Sequence, residues 1–582
     1  MQAVSLRFVV MLAATYLTSA TFHLTILHTN DVHARFEQFD GYGGGCSDEE
    51  SSAGECFGGV ARRVTKIRQI RAEEDNVLLL DGGDQFQGTA WFYFYKGDAT
   101  SYFMNKIGYD AMAIGNHELD NGPAGLKKFL QDVDFPVLSS NIDASQEPSI
   151  NGLFNKSTVL TVGDQKIGVI GYTFSGTPEI STTGKLVFSD EIASIQTEVD
   201  RLRDDYGINK IIAVGHSGFN VDKNIATKVS GLDIVVGGHT NTFLYTGTPP
   251  STEVPQGVYP TVVHPDDDPS ASVLVVQDYT LAKYLGRLKV TFDDAGKLTA
   301  WEGNPILLDK NVKQADDILN EINEWAEAVR NFSNEYVGFT NVFLDGSCRL
   351  EECNLGNTIA DAYVRQEIRA PDEQSWSDVS IAIVNSGSIR TSLFQGDLTI
   401  GDSTTVLPFG NTIDTITIKG VYLMEALEHA VAQYDPVDAP GRFLQFSGMI
   451  VYYDLWKPPG SRVAKAEVRC TECLVPSFVP LDLEKVYKIV MPSFVVGGGD
   501  GFIMLRDNLI EHNYGKLDSS VFSEYIRSMS PLTAGLERRM VINFVKPTEE
   551  PCVTGSADGI HRLLPVRSLL VVLLHLLLRH IC

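Results

Sequence analysis

The chain has 582 residues, of which 43% are hydrophobic and 21% charged, with a formal net charge of −27. That length exceeds what one hydrophobic core usually supports and predicts two domains; the apolar content excludes a disordered chain. The acidic balance excludes a general nucleic-acid binder, which needs a basic face. It does not exclude a small phosphate substrate, because metal ions reverse the field inside one cleft.

The N-terminus reads as an export signal. A weakly basic lead, Met1 to Arg7, precedes an apolar run, Phe8 to Ala14, and Thr18-Ser19-Ala20 suits cleavage after Ala20. Cysteine usage agrees: Cys46/Cys56, Cys348/Cys353 and Cys470/Cys473 are three close pairs in loop-like sequence and predict local disulfides, with Cys552 left over. In an exported chain, the sequons at Asn155 and Asn331 are glycan acceptors.

The first half repeats one grammar, a fully apolar run followed by a polar loop and often a helical stretch. The runs are Leu24–Leu27, Val77–Leu80, Ala111–Ile114, Ile167–Ile170, Ile211–Val214 and Ile234–Val236. Strands apolar along their whole length are covered on both faces, as in a layered α/β domain. Helical spacing marks Val60–Arg71 and Ile192–Asp205, and two antiparallel-looking strands near Ser272–Val276 and Arg287–Phe292 close this half. An amphipathic stretch, Asp316–Arg330, predicts a helix between two domains. The expected boundaries are 21–310 for the first domain, 311–336 for the linker helix and 337–548 for a second, α+β domain. That domain mixes helices (Asn357–Arg369, Leu423–Tyr434) with strands such as Val379–Val384.

Five strand ends of the first half carry metal-type side chains: Asn30-Asp31-Val32-His33, Asp81-Gly82-Gly83-Asp84, Gly115-Asn116-His117, Gly215-His216 and Gly238-His239-Thr240-Asn241. Loops at the carboxyl ends of strands in an α/β sheet gather into one crevice. Asp31, His33, Asp81, Asn116, His216 and His239 are therefore expected to converge, with donors suited to zinc or manganese. So many ligands fit two ions, bridged by a carboxylate such as Asp81. Three residues beyond His117, Asp120 is close enough to orient its ring.

These motifs, Ile26 to His33, Asp81 to Gly88 and Gly115 to Asp120, resemble the metallophosphoesterase motifs of the 5'-nucleotidases, and the likeness runs from Phe22 to Val545. It is nearest to the animal ecto-5'-nucleotidases, with salivary apyrases and UDP-sugar hydrolases as sister activities. The resemblance implies two divalent ions, zinc by expectation. One is held by Asp31, His33, Asp81 and Asn241, the other by Asp81, Asn116, His216 and His239. Two such cations lower the pKa of water and supply hydroxide near neutral pH, while His117, steadied by Asp120, stabilises the phosphoryl oxygens.

The second half resembles the family's substrate-recognition domain. Asn385-Ser386-Gly387-Ser388-Ile389-Arg390 is similar to an Asn-Gly-Gly-x-Ile-Arg loop, departing at Ser386. Pro408-Phe409-Gly410-Asn411 and Phe494 to Phe502 match the segments whose rings sandwich the base. Expected substrate contacts are Asn116, Arg349 and Arg390 (the two arginines to phosphate), Asn385 to the nucleoside, Asp500 to ribose, and Phe409 and Phe494 to the base. Family members place the first ring after Gly-Gly-Thr, where this chain has Ile413, so either Phe409 supplies the ring or one side of the clamp is aliphatic. Separate metal and base domains imply a rotation between open and closed forms, with its hinge region near Asp309–Arg330.

At the far end, small residues Gly555-Ser556-Ala557, a polar spacer and an apolar tail, Ser568–Leu578, follow the order in which a glycosylphosphatidylinositol anchor replaces the tail, at Gly555 or Ser556. The resulting expectation is an enzyme on the outer face of the cell membrane that hydrolyses nucleoside 5'-monophosphates. A plainly secreted protein is the alternative location. Partners are the nucleotide and the membrane, with no nucleic acid; the family allows a homodimer through the second domain. Alternative activities on the same metal core are an apyrase and a UDP-sugar hydrolase, and the non-enzyme alternative is an inactive surface binding or adhesion protein.

Overall fold

A computed structural model describes residues 21–41, 43–368 and 376–545. The segments expected to form an export signal and an anchor tail, with Cys552 and Ser556, lie outside the described residues. The first half is built on two sheets. One runs in the order Leu298–Gly303, Tyr284–Phe292, Phe22–Thr29, Val77–Asp81, Ala111–Ala113, Val137–Leu138. The other runs Thr261–Val263, Val273–Val276, Ile234–Val236, Ile211–His216, Gln165–Thr173, Ser157–Val162. The strands that carry the metal-type loops are parallel within each sheet, Phe22–Thr29 with Val77–Asp81 and Ala111–Ala113, and Ile211–His216 with Ile234–Val236.

Side-chain alternation explains why these runs are apolar throughout. Ile26, Leu78, Leu80 and Ala113 face the second sheet in one core, while their neighbours Leu27, Leu79 and Met112 face helices in another. With the helix Glu191–Tyr206 covering the second sheet through Ile195, Val199 and Leu202, the half is a four-layer α/β/β/α stack. Of the two strands expected to be antiparallel, Tyr284–Phe292 is so against Phe22–Thr29. Val273–Val276 instead runs parallel to Ile234–Val236 and antiparallel only to its edge neighbour Thr261–Val263.

The helix Asp316–Ser333 opens with two acidic residues, which favour the positive end of its dipole. Its buried stripe, Ile318, Ile322, Ala326 and Val329, joins the helix-side core of the first half. It is therefore an integral part of that core rather than a free connector. From Val337 onward two further cores form. They surround a five-stranded sheet, in the order Leu444–Ser447, Ile381–Asn385, Val486–Pro492, Ile413–Lys419, Glu511–Asn513, and a four-stranded sheet carrying Met449–Asp454 and Met540–Asn543. The three disulfides are Cys46–Cys56, Cys348–Cys353 and Cys470–Cys473. Asn155 and Asn331 are both exposed.

Candidate metal centre and nucleotide cleft

The two parallel strand sets end on one cavity of about 1510 Å³, lined by both halves of the chain. From the first half it receives Asp31, His33, Asp84, Asn116, His117, Asp120, His239 and Asn241. From the second half come Arg349, Asn385, Arg390, Phe409, Phe494 and Asp500. His216 lies beneath its floor, fully buried. Left-handed backbone is concentrated here: Asp31, His33, Asp84, His239 and Asn241 have φ between 52° and 79°. Non-glycine residues adopt that conformation only where the surroundings impose it, at a cost of about 1–3 kcal/mol each.

At the centre of the cluster is Asp84. Ligand-type atoms of His33, Asp84 and His117 lie within 4.8 Å of one another, as do those of Asp84, His216 and His239. One carboxylate shared by two groups is the arrangement that a bridged pair of ions requires. Gly115 permits this packing, because a Cβ there would stand 2.3 Å from Asp84 Oδ1. Glu118 fixes the two loops together: its buried carboxylate accepts from the backbone N–H of Gly115, Asp84, Gln85 and Phe86 at 2.7–3.1 Å.

Asp81 does not join the cluster, which corrects the expectation that it bridges. Strand alternation puts it on the same face as Leu79, toward the helix layer. There it accepts from Thr29 Oγ1, Gln85 Nε2 and the Gly83 N–H at 2.5–3.0 Å. Burial raises its pKa to about 7. The chain must leave the strand and turn through Gly82-Gly83 before a carboxylate, that of Asp84, points into the cleft.

Second contacts prepare the remaining side chains. The His216 Nδ1–H donates to Gly82 O at 2.7 Å, which leaves its Nε2 facing the cluster. That nitrogen lies 2.8 Å from Asp84 Oδ2 and 3.8 Å from Asp31 Oδ1 without the alignment of a hydrogen bond. Two donors aimed at a common point, rather than at each other, suit a metal. Asn241 Oδ1 is likewise buried with no hydrogen-bond partner. His33 Nδ1 donates to Phe86 O at 3.2 Å, which leaves its Nε2 as an acceptor, here for Arg390 Nη2 at 2.7 Å. Asn116 Oδ1 is 2.9 Å from His239 Nδ1. The donor set of imidazole, carboxylate and amide oxygen fits divalent zinc or manganese.

Electrostatics agree with a centre built for cations. Burial disfavours charge on His216, but Asp84 and Asp31 outweigh it and lift the imidazole to about 10. Burial and then the His216 charge drive His239 down to about 3. Burial alone would raise Asp84, but His216 and His117 hold it well below the usual carboxylate range.

The structure brings His117 and Asp120 together, with His117 Nδ1 2.7 Å from Asp120 Oδ2. Gln87 Nε2 donates to that same oxygen at 3.0 Å, and Ser181 Oγ to Oδ1 at 2.9 Å. Across the cavity, Asn385 Nδ2 donates to Asp500 Oδ2 at 2.8 Å, and Arg349 Nη1 to Ala439 O at 3.0 Å. Burial, and then the neighbouring Arg349, lower Arg390 to about 10. Of the two alternatives for the first side of the clamp, Ile413 is fully buried in its strand and does not line the cavity. Phe409 does line it, but its ring stacks on His117, with centroids 5.4 Å apart, beneath the Arg390 guanidinium. Asp84, Gln87, Glu118, Phe174 and Ser181 are site residues that the sequence reading missed. Asp84, Gln87 and Glu118 lay inside the motifs Asp81–Gly88 and Gly115–Asp120 without being given a role, whereas Phe174 and Ser181 left no signal there.

Two back-to-back sheets with shared histidine and aspartate donors at their strand ends define a metallophosphoesterase. Residues 24–243 match the calcineurin-like phosphoesterase family, and residues 336–507 match the 5'-nucleotidase C-terminal domain. The chain is 49% identical to a 5'-nucleotidase of Bos taurus over 550 residues, 92% of this chain and 94% of that one. It is 48% identical to a snake venom 5'-nucleotidase of Gloydius brevicauda over 91% of this chain and 90% of the other. The crystal structure of a 5'-nucleotidase precursor from Thermus thermophilus superposes with a TM-score of 0.83 at 38% identity, over 90% of this chain and all of that one. The chain belongs to the 5'-nucleotidase family and is a divalent-metal-dependent phosphoric monoester hydrolase.

Proposed function

We propose that the enzyme hydrolyses nucleoside 5'-monophosphates such as AMP to nucleoside and phosphate. The observation that carries this reading is the single cavity joining the Asp84-centred donor cluster to Phe494 and Asp500, with Arg349 and Arg390 on its wall. Asp31, His33, Asp84, Asn116, His216, His239 and Asn241 would hold two ions, zinc in this proposal. Such a pair lowers the pKa of water and neutralises charge on a phosphoryl group.

The chain's own residues do the rest. His117 meets the phosphoryl oxygens with its Nε2 while Asp120 keeps Nδ1 occupied, so the ring presents one orientation and one face. The guanidinium groups of Arg349 and Arg390 draw the phosphate inward and shield its charge from the buried carboxylates. Phe494 offers a ring face to the base, and Asp500, with Asn385 donating to it, accepts from ribose hydroxyls. Substrate bridging the two halves requires them to part for loading. Because the helix Asp316–Ser333 is seated in the first core, the hinge is proposed just beyond Ser333. Residence on the outer membrane face through an anchor at Ser556, and a homodimer, belong to the same proposal.

Phosphate release from AMP and ATP, and UMP release from UDP-glucose, each with chelator and then with zinc restored, test the reading. AMP turnover that stops with chelator and returns with zinc is expected. Faster release from ATP would make the enzyme an apyrase, and silence on all three with metal bound would leave the inactive binding protein.

A further inference from the structure

The segment Phe174–Thr182, between the strands Gln165–Thr173 and Val187–Phe188, carries no recognisable motif, yet it touches both sides of the cleft. At its start the Phe174 ring stacks on His239, centroids 5.1 Å apart and planes 27° apart. At its end Ser181 Oγ donates to Asp120 Oδ1 at 2.9 Å. Between them the short helix Thr177–Ile180 packs against the turn Gly499–Gly501 of the second half. Glu179 Oε2 lies 3.5 Å from where a Cβ on Gly501 would stand. That turn holds Asp500, the proposed ribose acceptor, in left-handed backbone (φ 55°), and His429 Nε2 donates to the Asp500 carbonyl at 2.9 Å.

Asp120 needs this support. Its Oδ2 already receives both His117 and Gln87, but neither of these bonds reaches Oδ1. A third donor on Oδ1, from a different segment, fixes the plane of the carboxylate and through it the His117 ring. Ser181 follows directly on Ile180, the last residue of the helix that meets the Asp500 turn, so a shift of that helix shifts the third donor.

We propose that Ser181 is a positioning residue that couples nucleoside engagement at the Asp500 turn to the orientation of the His117–Asp120 dyad. The proposal rests on the reading of that pair as the catalytic dyad. When the ribose occupies Asp500, the turn and the helix Thr177–Ile180 are held together and Ser181 is seated on Asp120. A substrate with no nucleoside leaves the seat less firmly held.

The test compares Ser181→Ala and Ser181→Thr on the zinc-loaded protein with AMP and with p-nitrophenyl phosphate, which has no ribose. For Ser181→Ala, kcat on AMP should fall about tenfold with KM changed less than twofold, and kcat on p-nitrophenyl phosphate should fall no more than about threefold. Ser181→Thr, which keeps the hydroxyl, should recover at least half of the AMP rate; equal zinc content and Tm in all three proteins separate positioning from collapse. Unchanged kcat on AMP, an equal loss on both substrates, or no recovery in Ser181→Thr would overturn the proposal. Full AMP turnover by His117→Ala would instead remove the dyad reading on which it stands.

Discussion

The two halves of the cleft are built by different means. On the metal side, donors sit at the ends of parallel strands or up to five residues past them, most of them almost fully buried, and five of the seven lie in left-handed backbone, with Glu118 and the Nδ1–H bonds from His33 and His216 tying their loops together. On the nucleoside side, the contacts come from turns with glycines around them, such as Gly497-Gly498-Gly499-Asp500-Gly501, and Phe494 is only partly buried. A metal centre tolerates little error in donor position, whereas a stacking ring must accept a base and release a nucleoside. Rigid strand ends supply the first and loops the second.

That contrast is broken most severely at Asp84. Because it belongs to both donor groups, Asp84→Asn should cost roughly 10³-fold or more in kcat/KM and reduce zinc below one equivalent per chain. Asp81→Asn, at the strand end and facing the helix layer, should retain close to two equivalents and most of the activity. Metal analysis of the two variants side by side decides between the carboxylates; metal loss in Asp81→Asn with retention in Asp84→Asn would reverse the assignment.

His117→Ala is the next largest. It removes the group that meets the phosphoryl oxygens but none of the buried donors around His216 and His239, so kcat should fall by about 10²–10³-fold with zinc content intact. If zinc were lost in proportion to activity, His117 would be a ligand and not the general electrostatic group. On the other side of the cleft, Phe494→Ala should raise KM for AMP by roughly tenfold, the worth of one stacked base. Its effect on kcat should be under threefold. Titrating AMP against both variants sharpens the comparison: loss in kcat marks the metal half, loss in KM the nucleoside half.

What the sequence made legible follows the same division. The α/β grammar and the five strand-end motifs announced the first half, because fully apolar strands and donors after them are local signals. The choice of Asp81 over Asp84 failed because the rule marks where a strand ends, whereas the face a side chain takes is set by alternation along it. Leu79 and Leu80 already sort to opposite cores, and Asp81 follows Leu79. Arg349, Asn385, Arg390, Phe494 and Asp500 were visible only through the family resemblance, since loops on a second core have no periodicity to read. Ser181 and Phe174 left no trace at all: their partners, Asp120 and His239, are 61 and 65 residues away in the chain, and only the fold brings them together. The helix Asp316–Ser333 was legible as a helix, but which core its stripe joins was not.

The last effect lies away from the cleft and is the smallest on turnover. Asp518, at the start of the helix Asp518–Met529, is 1% exposed, and its Oδ2 has no hydrogen-bond partner. Burial raises its pKa to about 7, against an unfolded value near that of a free carboxyl. A folded pKa above the unfolded one means that the native state holds the proton more tightly. The contribution to stability is therefore full below about pH 4, declines as pH rises, and is gone once pH passes about 7. Asp518→Asn keeps the shape and the acceptor for the Ser519 N–H but cannot ionise. The variant should match the parent near pH 4, gain on it between pH 4 and 7, and hold a constant advantage above that, about 4 kcal/mol at most. Turnover of AMP should not change, since Asp518 does not line the cavity. Thermal unfolding of parent and variant at pH 4.5, 6 and 8 reads the difference directly; a gap that shrinks toward pH 8 would mean that the carboxylate is ionised and paired in the folded chain.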